Sequence, residues 1–325
     1  LAGQSIRNTI IGVDWAICET LGLDTEHLDP FANMGSTQMK TYRLLTAFAV
    51  LVTFSGLAIA DAPDEHFFDS DGVKIRYIVK GEGEPVLLIH GYTATAETNW
   101  MSVIPTLSKD YKVIALDNRG HGKSDKPHGA EHYGEEMIND SIRLLDHLGI
   151  EKAHVAGYSM GGFITAKMVT MYPERMLTAT IGGAGWAEED PEREGMLDVL
   201  ADSIENEGSM APLMEALSPE GEPMPAEQVE MFNKMILGMN DPKALASVAR
   251  GMKGHSVTEA ELKKVDVPTQ LIMGAKDPLK QTSDAWMAVQ TDDTYVVIEG
   301  ADHLTAPNSP VFLQALEDFI ATGGE

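Results

Sequence analysis

The stretch KAHVAGYSMGG, residues 152–162, decides how this chain is read. A β-prone run opening at Ile150 ends at Gly157, and FITAKMVTMYPE beyond Gly162 reads as a helix closing near Pro173. Ser159 therefore falls on a sharp turn from a buried strand into a helix, with glycine two residues to either side. Such a turn thrusts the hydroxyl outward while neighbouring backbone N–H groups point at the same spot, which makes a weak alcohol into a nucleophile. The glycines have a steric reason: side chains at 157 or 161 would collide with the adjoining strand and helix.

A serine of this kind needs a base. Near the C-terminus two strand-like runs each end in a polar side chain: VPTQLIMGAKDP supplies Asp277 and TYVVIEGADHL supplies His303. Taken alone, Asp277 before Pro278 reads as a turn opener and His303 as a loop histidine. Together, each at a strand end, they suggest a relay in which the imidazole takes the serine proton and the carboxylate fixes its tautomer. The run PVLLIHGYTATAETNW begins as a strand buried on both faces and breaks at His90-Gly91. By position, the backbone N–H groups of Tyr92 and Met160 are the candidate donors to an oxyanion. In YKVIALDNRGHGKSDKP, Asp117, Arg119 and Asp125 read as ties within a glycine-rich loop.

These motifs resemble the α/β-hydrolase superfamily, in its group of serine esterases, C–C bond hydrolases and cofactor-free haloperoxidase-like enzymes. The resemblance is carried by the HG turn at 90–91, DNRGHGKSD at 117–125, GYSMGG at 157–162, GAKDP at 274–278 and GADH at 300–303, and covers about residues 65–322. Ser159, Asp277, His303 is also the chain order of that superfamily. The resemblance implies Ser159 as nucleophile, His303 as base, Asp277 as orienting acid, and Tyr92 with Met160 as oxyanion hole. Relatives that open epoxides or remove halide use aspartate as the nucleophile, and serine at 159 argues against both.

Eight strand-like runs are present: FFDS and VKIRYIVKG, joined at Asp71-Gly72, then PVLLIHG, KVIALD, KAHVAG, MLTATIGG, TQLIMG and TYVVIEG. Helical patterns lie between most of them; in GEEMINDSIRLLDHLG, Met137, Ile138, Ile142, Leu145 and Leu148 mark one face. The expected class is α/β: an eight-stranded, mostly parallel α/β-hydrolase sheet with helices on both faces and a helical cap. Residues 61–183 and 267–325 form the expected core. Residues 184–266 hold no convincing strand, are broken repeatedly by proline from Pro191 to Pro242, and form the expected cap. That segment carries eight of the 18 methionines, with Met231, Met235 and Met239 at helical spacing. They read chiefly as core between cap helices, with an adaptable apolar pocket for an acyl chain or aromatic ring as the functional alternative. Trp100 and Trp186 are candidate pocket residues for which simple packing is the equal alternative.

From Met39, MKTYRLLTAFAVLVTFSGLAIADA has a basic start, an apolar centre and small residues at Ala58 and Ala60, the pattern of a signal peptide over 39–60. Leu44 to Ala60 gives 17 residues, short of the ~20 of a membrane span, so cleavage is favoured over a retained anchor. The expectation is export to the periplasm or the extracellular space, with no stable membrane insertion afterwards. Residues 1–38 show no usable pattern and remain an unassigned upstream segment. The single cysteine, Cys18, lies within it, so the exported form is expected to have no disulfide.

There is no cysteine cluster or HExxH pattern, and His121, His128 and His132 lack carboxylates at defined spacing; neither a metal nor a cofactor is expected. Net charge is −26; residues 1–60 hold three basic and five acidic side chains, leaving −24 for the rest. That acidity opposes binding to nucleic acid or anionic membrane and favours solubility. The expected activity is that of a carboxylesterase-like serine hydrolase cleaving small to medium, largely uncharged esters. Hydrolysis of a C–C bond in a β-diketone-like substrate is the neighbouring alternative. A slow-turnover ligand-binding receptor on the same fold is the alternative from a different class.

Overall fold

The structure, a computed structural model, describes residues 64–186, 188, 191–219 and 224–324. The expected upstream segment at 1–38, the signal peptide at 39–60 and Cys18 lie outside the described residues. The eight expected strands form one sheet. They are β1 (Asp64–Ser70), β2 (Val73–Lys80), β3 (Glu84–Ile89), β4 (Tyr111–Leu116), β5 (Ala153–Tyr158), β6 (Met176–Gly182), β7 (Thr269–Gly274) and β8 (Thr294–Ile298). Their order is β1-β2-β4-β3-β5-β6-β7-β8. The β1/β2 and β2/β4 pairs are antiparallel and all others parallel. β1 and β2 turn at Asp71 and Gly72, both at positive φ, the backbone that a two-residue hairpin of this twist demands.

Along the central strands successive side chains enter two separate apolar layers. Leu87, Ile89, Ile114, Leu116 and Val155 belong to one, and Val86, Leu88, Val113, Ala115 and Ala156 to the other. Both faces of the sheet are therefore covered, which is why these strands read as unbroken apolar runs rather than alternating ones. Helices α1 (Ala96–Trp100) and α2 (Val103–Leu107) pack in the second layer; α3 (Glu135–His147) and α4 (Met160–Met171) pack in the first. On α3 the expected face is buried except at Leu148, which is half-buried beyond the helix end. Asp140 is buried there too, because Arg119 reaches across to meet its carboxylate.

Between β6 and β7 the described residues contain helices and no strand. These are α5 (Pro191–Glu207), α6 (Ala211–Leu217), α7 (Ala226–Met239), α8 (Pro242–Gly251) and α9 (Glu259–Leu262). Pro191 and Pro242 open α5 and α8, and Pro212 lies in the first turn of α6, where a missing N–H costs nothing. The methionine stripe on α7 departs from expectation. Met235 packs against the core, whereas Met231 and Met239 are exposed, because the helix turns the Phe232, Met235 and Ile236 side inward. α10 (Lys280–Val289) follows β7 and α11 (Pro310–Ala321) ends the fold. No helix among the described residues is long and apolar enough to cross a membrane.

Candidate active site

Sheet order places the site. The chain leaves β3 for β4 on one side and then crosses back from β4 to β5 on the other side of β3, so the C-terminal ends of β3 and β5 flank the crevice where such sheets receive ligands. Ile89 pairs in register with Gly157, which sets the HG turn directly beside the serine turn. A Cβ at Gly157 would overlap the carbonyl of Gly161, and one at Gly161 the carbonyl of Ile89. Glycine at both positions is thus a packing requirement. Ser159 adopts φ 55° and ψ −118°, a strained state for a residue with a side chain. Its N–H donates to Gly182 O at 2.8 Å and its carbonyl accepts from Phe163 N at 3.0 Å, so both flanks hold the strain.

The three side chains nominated from sequence converge. Ser159 Oγ lies 2.8 Å from His303 Nε2, and His303 Nδ1 lies 2.7 Å from Asp277 Oδ2. With the carboxylate on Nδ1, that nitrogen carries the proton and Nε2 is free to accept one from the serine. Asp277 Oδ1 accepts from Leu279 N at 2.9 Å, which leaves the other oxygen for the histidine. Asp277 and His303 are buried and Ser159 only half-buried, so the hydroxyl is the accessible member of the set.

The loop after β3 is held from several directions. Gly91 N donates to Asn99 Oδ1 at 2.8 Å and Ala96 N to Asp117 Oδ1 at 2.9 Å. His90 is fully buried; its Nε2 accepts from Asn118 N at 2.9 Å and its Nδ1–H donates to Gly91 O at 2.7 Å. Burial pushes the His90 imidazole down to about 4, which keeps it neutral and this pattern intact at ordinary pH. Neither Tyr92 N–H nor Met160 N–H has a hydrogen-bond partner among the described residues. A Cβ on Gly91 would lie 3.2 Å from Ser159 Cβ, so the Tyr92 peptide adjoins the serine from one side while Met160 opens α4 on the other. Asp117, Arg119 and Asp125 serve the scaffold: Asp117 also accepts from Lys123 N, Arg119 clamps Asp140, and Asp125 accepts from Lys74 N.

The two tryptophans part company. Trp100 is fully buried in the second core layer, 6.3 Å from the Phe312 ring, and with Ala96 it forms the inward face of α1. Trp186 is half-buried and its indole N–H donates to Val257 O at 2.8 Å, which ties the chain after β6 to the helical segment. A cavity of about 860 Å³ between the 128–130 loop, α5 and α8 has none of Ser159, Asp277 or His303 in its lining. Sequence reasoning missed Tyr158, Asn99 and Asn118, whose contacts are long-range and leave no local pattern. His121, His128 and His132 do not gather: the first is buried and the others exposed, and no group of metal-ligating side chains occurs among the described residues.

The model of the family described as alpha/beta hydrolase fold matches residues 84–205. The 2-hydroxy-6-oxo-6-(2'-aminophenyl)hexa-2,4-dienoic acid hydrolase of Metapseudomonas resinovorans is 31% identical over 234 residues, 68% of this chain and 78% of that protein. This chain belongs to the α/β-hydrolase family. The hydrolase is also 40% identical over 116 residues to the dihydrolipoyllysine-residue acetyltransferase component of the acetoin cleaving system of Cupriavidus necator, a match spanning 35% of this chain and 30% of that relative. Among solved structures, a thermophilic esterase from Thermogutta terrifontis superposes on this α/β-hydrolase with a TM-score of 0.68 at 25% identity, covering 80% of this chain and 99% of the esterase.

Proposed function

We propose that this hydrolase cleaves carboxylic esters of small to medium, largely uncharged compounds through an acyl-enzyme. The observation that carries the proposal is the continuous line from Asp277 Oδ2 through His303 to Ser159 Oγ, with hydrogen-bond distances of 2.7 and 2.8 Å. Ser159 Oγ attacks the ester carbonyl carbon as its proton passes to His303 Nε2. The resulting oxyanion accepts from the N–H groups of Tyr92 and Met160, each donor being worth ~3 kcal/mol in such sites. His303 returns the proton to the departing alcohol, then takes one from water, whose oxygen attacks the acyl carbon and releases the acid and the serine. Asp277 keeps the imidazole in one tautomer and stabilises its charged form.

Support for an uncharged substrate comes from Phe163, half-buried and one helical turn beyond Ser159, whose carbonyl its N–H meets at 3.0 Å. Hydrolysis of p-nitrophenyl acetate and butyrate tests the reading. The wild type turns over and is labelled by a fluorophosphonate, and Ser159→Ala loses both. Labelling that survives Ser159→Ala overturns the assignment. A second reading, C–C bond hydrolysis, is favoured by the Metapseudomonas relative's own substrate. Loss of the colour of a dienoic ring-fission product, faster than any ester is cleaved, replaces the ester reading with it.

A further inference from the structure

The residue immediately before Ser159 makes a bond that the scheme above does not use. Tyr158 is 4% exposed, and its hydroxyl donates to the backbone carbonyl of His303 at 2.6 Å. Its ring lies 5.5 Å from the His303 imidazole and 5.8 Å, edge-on, from Phe312 of α11. The space is cleared on the far side by Gly183, where a Cβ would come within 2.7 Å of Tyr158 Cζ. Ring and hydroxyl are thus both held.

The His303 loop is organised internally by Asp302, whose Oδ1 accepts from Leu304 N, Thr305 N and Thr305 Oγ1 at 3.0, 2.9 and 2.7 Å. Those bonds shape the loop without locating it relative to β5. Asp277 locates the imidazole from β7, two strands away in the sheet. The Tyr158 hydroxyl is what fastens the histidine's own backbone to the element that carries the serine. From Ser159 to His303 O the path is one peptide bond and one side chain, so movement of the serine turn carries the base with it.

We propose that Tyr158 is a positioning residue for the reaction, fixing His303 against Ser159 through the His303 carbonyl. This rests on the nucleophile and base roles given above to Ser159 and His303. Burial and the nearby carboxylates of Asp277 and Asp302 push the phenol well above its usual value, so the hydroxyl stays a donor across the working range of pH. A misplacement of about 1 Å between reacting groups costs up to ~100-fold in rate, and releasing one of two restraints on the base sets an expected loss of about tenfold.

The test is Tyr158→Phe, which keeps the ring and removes the hydroxyl, beside Tyr172→Phe as a control. Tyr172 donates an equivalent bond to Asn139 Oδ1 at 2.9 Å, away from the site. Three quantities are read: kcat and KM for p-nitrophenyl butyrate, the thermal midpoint, and the low-field proton resonance of His303 Nδ1–H, assigned by its loss in His303→Gln. Tyr158→Phe is expected to lower kcat about tenfold with KM within twofold and to shift or broaden the resonance, while Tyr172→Phe does neither. A Tyr158→Phe protein with kcat within twofold of wild type and an unmoved resonance overturns the inference. So does an equal loss of kcat in Tyr172→Phe at a matching fall in thermal midpoint. If the wild type cleaves no ester, the functional reading fails by itself, and the resonance still decides the role of Tyr158.

Discussion

Replacing Gly161 by alanine puts a methyl group onto the Ile89 carbonyl, 2.6 Å from its carbon, and 2.8 Å from the carbonyl oxygen of His90. Non-bonded carbons settle near 3.5–4.0 Å, so the end of β3 and the first turn of α4 have to separate by about 1 Å. The separation opens between the two proposed oxyanion donors, because Tyr92 follows β3 and Met160 begins α4. Losing one such donor costs roughly 10²–10³ in kcat, and forcing a methyl into a filled core costs about 1–3 kcal/mol. Gly161→Ala is therefore expected to fold with a lowered thermal midpoint and to turn over p-nitrophenyl butyrate about 100-fold more slowly. Active sites are counted by fluorophosphonate titration so that unfolded protein does not enter the rate. Turnover within twofold of wild type, per titrated site, refutes the claim that contact between these two turns sets the geometry of the chemistry.

Two further outcomes follow from the buried polar groups. Arg119→Met strips Asp140, 1% exposed, of a guanidinium that meets it twice at 2.7 Å, and is expected to cost about 3–5 kcal/mol in denaturant unfolding; a loss below 1 kcal/mol contradicts this. Burial pushes His90 down to about 4 and His121 and His255 down to about 3, below the ~6.5 of an unfolded histidine. The folded state stays neutral where the unfolded chain takes up protons, so this stability is complete above pH 6.5 and is lost as pH falls toward the folded values. Around pH 5 each contributes a slope of about 1.4 kcal/mol per pH unit. Denaturant midpoints measured from pH 7.5 to 5 are expected to fall, less steeply in His255→Leu, and a flat profile contradicts the argument.

The strands were legible because a parallel sheet covered on both faces leaves uninterrupted apolar runs, as in Val86–Ile89 and Leu271–Met273. β1 begins at Asp64, three residues before the apolar run at Phe67, since Glu65 and His66 lie on an exposed edge and need no apolar signature. Ser159, Asp277 and His303 could be nominated because each stands at the end of such a run, where sheet geometry delivers it to one side. Asp140 could not, for a buried carboxylate on an apolar helix face makes sense only once Arg119 is seen opposite. Trp100 was ambiguous for the same kind of reason, since its direction depends on how a five-residue helix sits on β3 and β4. On α7 the spacing of the methionines described a helix correctly but did not say which side of it would face solvent.

All five groups assigned to the reaction, the side chains of Ser159, Asp277 and His303 and the amides of Tyr92 and Met160, issue from connections at the ends of β3, β5, β7 and β8. Not one comes from α5 to α9. The reacting groups therefore come from parts of the chain separate from α5 to α9, although those helices share the first apolar layer with the sheet and meet the loop after β3 where the Tyr92 hydroxyl donates to Leu245 O at 2.8 Å. Exchange of those helices, by natural selection or in the laboratory, leaves every one of the five reacting groups on connections that the sheet itself positions.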